Sequence, residues 1–184
     1  GDVHGELLEH EIEYGGTLRL TNPSGCTAMP HIHHFETINY LVVDPSCACV
    51  TTIGDGFLEG CSALAQTNLC GLEGVVSIGD DFLKDCKTIY NIDMTPLKST
   101  KSIGANFLNG CHNLEEVSTE GLENCASVGE SFISHNFSIY NVNLKGLCNC
   151  ASIGDHFLSK NHCLRSVDLT PIPGAFNSLP QGPS

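Results

Sequence analysis

One period governs this sequence. The pairs Ile53-Gly54, Ile78-Gly79, Ile103-Gly104, Val128-Gly129 and Ile153-Gly154 recur every 25 residues without a slip. Phe57, Phe82, Phe107, Phe132 and Phe157 follow in the same register, as do Leu64, Ile89, Leu114, Ile139 and Leu164. Leu72, Leu97, Leu122, Leu147 and Ile172 close each unit. Self-similarity at such a period is the signature of a stacked-repeat architecture. A unit of this size cannot bury its apolar face alone, whereas stacked units share one continuous core. Within each unit the spacing L-x-x-V-x-L, completed by Ile92, Val117, Val142 and Val167, predicts a short strand with alternate side chains pointing inward. Before it, S-I-G-D-x-F-L-x-x-C predicts a tight turn that opens one or two helical turns. Asp55, Asp80, Glu130 and Asp155 would then sit at the positive end of a short helix.

The expected fold class is thus an α/β repeat: a solenoid with a parallel strand ladder on one face and short helical or 3-10 turns on the opposite face. Residues 50–174 make five units. Residues 1–49 are expected as an amino-terminal cap with a degenerate repeat, in which Thr17–Thr21 is a strand and Phe35–Asp44 a unit displaced by about one residue. Residues 175–184, rich in Pro, Gly and Ser, are expected as a flexible carboxyl-terminal tail. The recurring glycines are read as serving backbone turns rather than a ligand.

The unit at Ile103-Gly104-Ala105-Asn106-Phe107, with Cys111, Leu114 and Val117, resembles the BspA-like (Treponema-type) class of leucine-rich repeats. The resemblance spans roughly residues 50 to 174. It departs from the class in its longer period and in the column Val75, Thr100, Cys125 and Cys150, where ordinary leucine-rich repeats carry an asparagine ladder. The resemblance implies a leucine-rich-repeat solenoid used as a binding scaffold, surface adhesins among them, with no intrinsic catalytic site and no cofactor.

Composition narrows the partners. With 21 acidic residues against 8 Lys and Arg, the formal charge of −13 argues against nucleic acid and favours a neutral or basic protein partner. No apolar run is long enough for a membrane-spanning helix. The 11 cysteines are an odd number. Cys61, Cys86 and Cys111 share one column and Cys125 and Cys150 another, which fits buried thiols better than a disulfide framework. That favours a reducing intracellular compartment over the cell surface or secretion. His31, His33 and His34 with Cys47 and Cys49 provide borderline metal ligands, although an ordinary polar turn explains them more simply. No metal site is therefore assigned. The G-x-S-x-G and G-x-x-x-x-G-K motifs are both missing, so the chain is read as non-enzymatic. Asn136-Phe137-Ser138 is a lone glycosylation sequon.

The residues between the inward positions of the ladder define the expected contact face. Gln66, Asn91, Glu116, Asn141 and Ser166 form one outward column. Asn68, Asp93, Ser118, Asn143 and Asp168 form the next, and Thr95, Glu120, Lys145 and Thr170 lie beyond. Tyr90 and Tyr140, one position before the first column, are the best aromatic anchors. The favoured function is a non-enzymatic protein-binding module using this concave face, in adhesion or as a scaffold. A structural repeat fragment without a specific ligand is the second reading, and a metal or redox protein using the segment from His31 to Cys49 is the third. The sequence assigns no oligomeric state.

Overall fold

A computed structural model of the chain describes residues 9–173, apart from residues 14, 30, 33 and 34. The expected tail and the histidines His33 and His34 lie outside the described residues. Successive 25-residue units stack in register through two separate strand ladders. The first begins with an antiparallel hairpin, Glu9–Glu13 against Thr17–Thr21, closed by an ion pair of 2.6 Å between Arg19 Nε and Glu13 Oε1. Parallel pairing carries it on to Tyr40–Val43 and Gln66–Asn68. Tyr40 faces Gln66, one residue out of the later period. Glu116–Ser118 and Asn141–Asn143 continue the ladder as a parallel pair, while residues 91–93 and 166–168 hold the same place without strand pairing.

The second ladder is built from the dipeptides before the glycines. Ala28–Met29, Thr52–Ile53, Ser77–Ile78, Ser102–Ile103, Ser127–Val128 and Ser152–Ile153 pair in parallel, in that order. The Ser-Ile pairs that the repeat pattern assigned to a turn are therefore strands. A β-branched Ile on the inward side and a short polar residue on the outward side suit a half-buried strand.

No α-helix occurs among the described residues, which corrects the helical turns expected at F-L-x-x-C. Every second residue of that segment has a left-handed backbone: Gly56, Leu58 and Gly60 in the first unit, Asp81, Leu83 and Asp85 in the next, and so on to His156, Leu158 and Lys160. A helix needs uninterrupted right-handed residues, so alternation forbids it. The N–H groups of the left-handed residues bond between units instead. Leu83 N–H donates to Phe57 O at 2.9 Å and Asp81 N–H to Ala105 O at 2.8 Å. The first and third positions are mostly residues that tolerate the left-handed region. The middle one is a Leu or Ile held there because its side chain is fully buried in the first four units. Among the described residues helical character is confined to 3-10 turns after the strand ladder, at Pro45–Cys49, Cys70–Leu72, Thr95–Leu97 and Lys145–Leu147.

The Ile-Gly glycines do not serve a turn. None of Gly79, Gly104, Gly129 and Gly154 has positive φ. A Cβ on Gly104 would lie 2.7 Å from the carbonyl carbon of Gly79, and one on Gly129 would lie 2.5 Å from that of Gly104. They are glycine because neighbouring units touch backbone to backbone there. Behind them Phe57, Phe82, Phe107, Phe132 and Phe157 stack at 5.2–5.5 Å between ring centroids, with planes 7–10° apart.

The cysteine columns are inward. Cys47, Cys61, Cys86, Cys111, Cys125 and Cys150 are buried, and all 11 cysteines are free thiols in the structure. Cys86 and Cys111 donate to Leu58 O and Leu83 O, at 3.2 and 3.3 Å. Burial pushes Cys111 up to about 12 and Cys47 to about 11, with Cys86 and Cys61 raised in the same direction. Cys125 is raised by its hydrogen bond with Cys150, which is lowered by the same bond. In the last two units the column of Cys111 passes to Asn136 and Asn161. The Asn136 carboxamide oxygen accepts from Cys111 N–H at 2.6 Å. Asn136 is fully buried, so the sequon is closed to glycosylation in the folded chain.

Two outcomes follow from this packing. Gly129→Ala is expected to cost about 2–3 kcal/mol by urea unfolding, because the added methyl meets backbone that cannot yield. Gly60→Ala, left-handed but facing open space, is expected to cost about 1 kcal/mol. Equal losses would contradict the close approach. A thiol reagent is expected to reach Cys49, Cys148 and Cys163 in the native protein, and the six buried thiols only on unfolding. Above the ordinary thiol value of 9.0 the unfolded chain loses thiol protons that the folded chain keeps. The urea midpoint is therefore expected to fall steadily from about pH 9 to about pH 11. A flat profile would show that burial does not hold the thiols neutral.

Candidate strand-ladder face

The first outward column is what the alternation of the strand requires. Gln66, Asn91, Glu116, Asn141 and Ser166 are all exposed, while Ile92, Val117 and Val142 beside them are buried. Neighbours along the column are in weak contact: Asn141 Nδ2 donates to Glu116 Oε1 at 3.4 Å. Tyr90 and Tyr140 are 49% and 53% exposed. The Gln66 carboxamide is hydrogen-bonded to the Tyr90 hydroxyl, so this ring reaches toward the preceding unit. Tyr140 stands near Glu116, whose negative charge raises the phenol above its usual range.

The second column has another occupation. Asn68 Oδ1 accepts from Cys70 N–H at 3.0 Å, Asp93 Oδ1 from Thr95 N–H at 2.9 Å and Asn143 Oδ1 from Lys145 N–H at 3.0 Å. Ser118 Oγ accepts from Glu120 N–H, and Asp168 Oδ1 from Thr170 N–H. Asp44 does the same for Ser46 in the earlier unit. Each side chain closes an Asx or Ser turn onto the residue two positions on, which begins the 3-10 turn in several units. The Thr170 hydroxyl, which donates to Asp168 Oδ1 at 2.7 Å, together with the backbone bond holds the Asp168 carboxyl below its ordinary range, and the Ser46 N–H does the same for Asp44. The column was chosen from the sequence for binding, and the structure uses it to end the strand. The available signal was an Asn, Asp or Ser two residues ahead of each turn. Thr95, Glu120, Lys145 and Thr170 lie exposed beyond it.

One exposed cluster was missed. His112, Phe137 and His162 stack along the flank that enters the ladder, at 4.0 and 6.3 Å between centroids, and Phe137 is 52% exposed. The residues share a column one position after Cys111, Asn136 and Asn161. Their common register was the available signal.

Of the proposed ligand segment, the described members His31, Cys47 and Cys49 do not converge. Cys47 points into the core and its thiol donates to Leu20 O, whereas Cys49 is exposed and accepts from Asn22 Nδ2 at 3.2 Å. His31 Nδ1 lies 2.8 Å from Asp55 O. Among the described residues no three His, Cys, Asp or Glu side chains gather as a metal site would require. No described helix is long and apolar enough to cross a membrane. A cavity of about 240 Å³ opens at the fifth unit, lined by Phe157, Leu158, Leu164, Val167 and Leu169 with Arg165 at its side.

Comparison with known proteins adds the following. A family model described as the BspA type leucine rich repeat region matches residues 34–171 in six copies. The crystal structure of a T. pallidum leucine rich repeat protein aligns over 86% of this chain and 85% of that chain, at 14% sequence identity and a TM-score of 0.39. No curated protein matches the chain.

The two columns separate by experiment. Asp93→Ala is expected to lower stability by about 1 kcal/mol through loss of the turn bond, and Asp93→Asn to restore most of it. Asn91→Ala is expected to stay within about 0.5 kcal/mol of the parent. Thermal or urea unfolding reads both, and an Asp93→Ala midpoint equal to the parent's would remove the turn from the account.

Proposed function

The chain belongs to the BspA-type leucine-rich repeat family, and on that premise we propose that it is a non-enzymatic protein-binding module working through its strand-ladder face. Leucine-rich repeat domains are generally protein-interaction modules. We read the stack as a solenoid whose first outward column, with Tyr90 and Tyr140, takes the partner in adhesion or scaffolding. The observation that carries the reading is this division of labour. The second column is committed to turns, while Gln66, Asn91, Glu116 and Asn141 stand exposed on a hydrogen-bonded frame with donors and acceptors turned outward.

A partner of neutral or basic character fits the surface, since Glu115, Glu116 and Glu120 lie exposed within it and the whole chain carries −13. The six buried thiols and the odd cysteine total support a reducing compartment.

A variant with Gln66, Asn91, Glu116 and Asn141 all replaced by Ala is expected to unfold at the parent's midpoint and to lose the natural partners that the parent captures from its source extract. Capture at undiminished yield would overturn the reading, and a parent that captures nothing would favour the structural alternative. Asp93 and Asn143 are left intact, because their loss would disturb the turns as well as the face.

A further inference from the structure

Tyr90 and Tyr140 occupy the same register position two units apart, and the residue between them is Glu115. All three are exposed. Tyr90 is tied through its hydroxyl to Gln66 of the preceding unit, and Tyr140 stands within reach of the negative charge of Glu116 at the corresponding place. The strip is two aromatic walls with an acidic floor between them. Adjacent strands lie about 4.8 Å apart, which sets the walls roughly 10 Å from one another. A polyproline II helix repeats every three residues at 3.1 Å each, a pitch of about 9 Å.

We propose that Tyr90, Glu115 and Tyr140 form a recognition strip for a proline-rich segment flanked by Arg or Lys, bound as a polyproline II helix. The proposal rests on reading the strand-ladder face as the contact surface, and it names the partner's chemistry.

Three features of the face select this ligand. Glu116–Ser118 is paired to Asn141–Asn143 within the ladder, and the groups this face turns outward are side chains. Recognition through those side chains is the mode the proposal takes. A polyproline II helix has no internal hydrogen bonds and turns its carbonyl groups outward. The carboxamides of Gln66, Asn91 and Asn141 supply donors for them, and Asn91 has no side-chain partner among the described residues. Proline rings pack on exposed tyrosines at little cost in ligand entropy, because the ligand is stiff before it binds. Charge then orients the segment. Glu115 and Glu116 stand between the walls, where a basic flank meets them and an acidic one is repelled.

The test uses the full chain and a synthetic probe of about nine prolines with two arginines at one end, three turns of helix. Titration at low ionic strength, followed by calorimetry, is expected to show binding that falls as salt rises. A probe of the same charge with glycine replacing proline is expected to bind at least about tenfold more weakly. Tyr90→Ala and Tyr140→Ala are each expected to weaken the proline probe by about tenfold, with Tyr140→Phe retaining most of the affinity. Glu115→Gln should remove much of the salt dependence. Equal affinity for the glycine probe, no binding by the parent, or tyrosine variants indistinguishable from the parent would overturn the proposal. So would self-association lost in Tyr140→Ala, since it would assign the strip to a second copy. If the four-alanine variant loses its natural partners while the proline probe fails to bind the parent, the face is the contact surface and only the partner's chemistry is wrong.

Discussion

The contact on which the rest of this structure depends is backbone against backbone at the Ile-Gly column. Gly79, Gly104, Gly129 and Gly154 each lie so near the preceding unit that a single methyl group would have no room. That approach sets the spacing of the stack. At this spacing the phenylalanine rings meet face to face, the Ser-Ile dipeptides pair as strands, and the alternating segment finds carbonyl partners in the units on both sides. Side chains fill the interior, yet the interval they fill is dictated by the absence of one.

Cohesion runs between units more than within them. The segment from Gly56 to Gly60 has a single turn bond of its own, Glu59 N–H to Gly56 O at 3.2 Å, as do most of its equivalents, and several of their residues occupy a backbone region that L-residues avoid. They persist because each neighbour supplies the hydrogen bonds and the apolar cover that the unit lacks. A unit cut from the stack would lose both. This is the physical content of a repeat protein whose stability is a sum over nearest neighbours.

Much of the architecture could be read from residues alone, and the errors are instructive. Columns such as Leu64, Ile89, Leu114 and Ile139 are fully buried, as a common register demands. The parallel ladder was expected and is present. Phe57-Leu58 was read as the start of a helix because apolar neighbours beside an acidic residue resemble a first helical turn. The contrary signal was Gly, Asp, Asn, Ser or His recurring on alternate positions, a pattern tuned to positive φ rather than to a helical face. The outward side of the ladder was half legible. Alternation identifies which side chains point out, but it does not show that Asn68, Asp93 and Asn143 turn back to their own backbone. Local bonds of that kind leave no trace in a periodic pattern.

The placement of the tyrosines has an optical consequence. The chain has no Trp and four Tyr, so its ultraviolet emission comes from tyrosine. Tyr90 and Tyr140 stand on the strand-ladder face, and Tyr40 begins a strand in the same ladder. The buried phenylalanine column contributes little light of its own. Three of the four tyrosines thus belong to the ladder proposed to meet a partner, and the native protein, without any label, carries a reporter of what settles there.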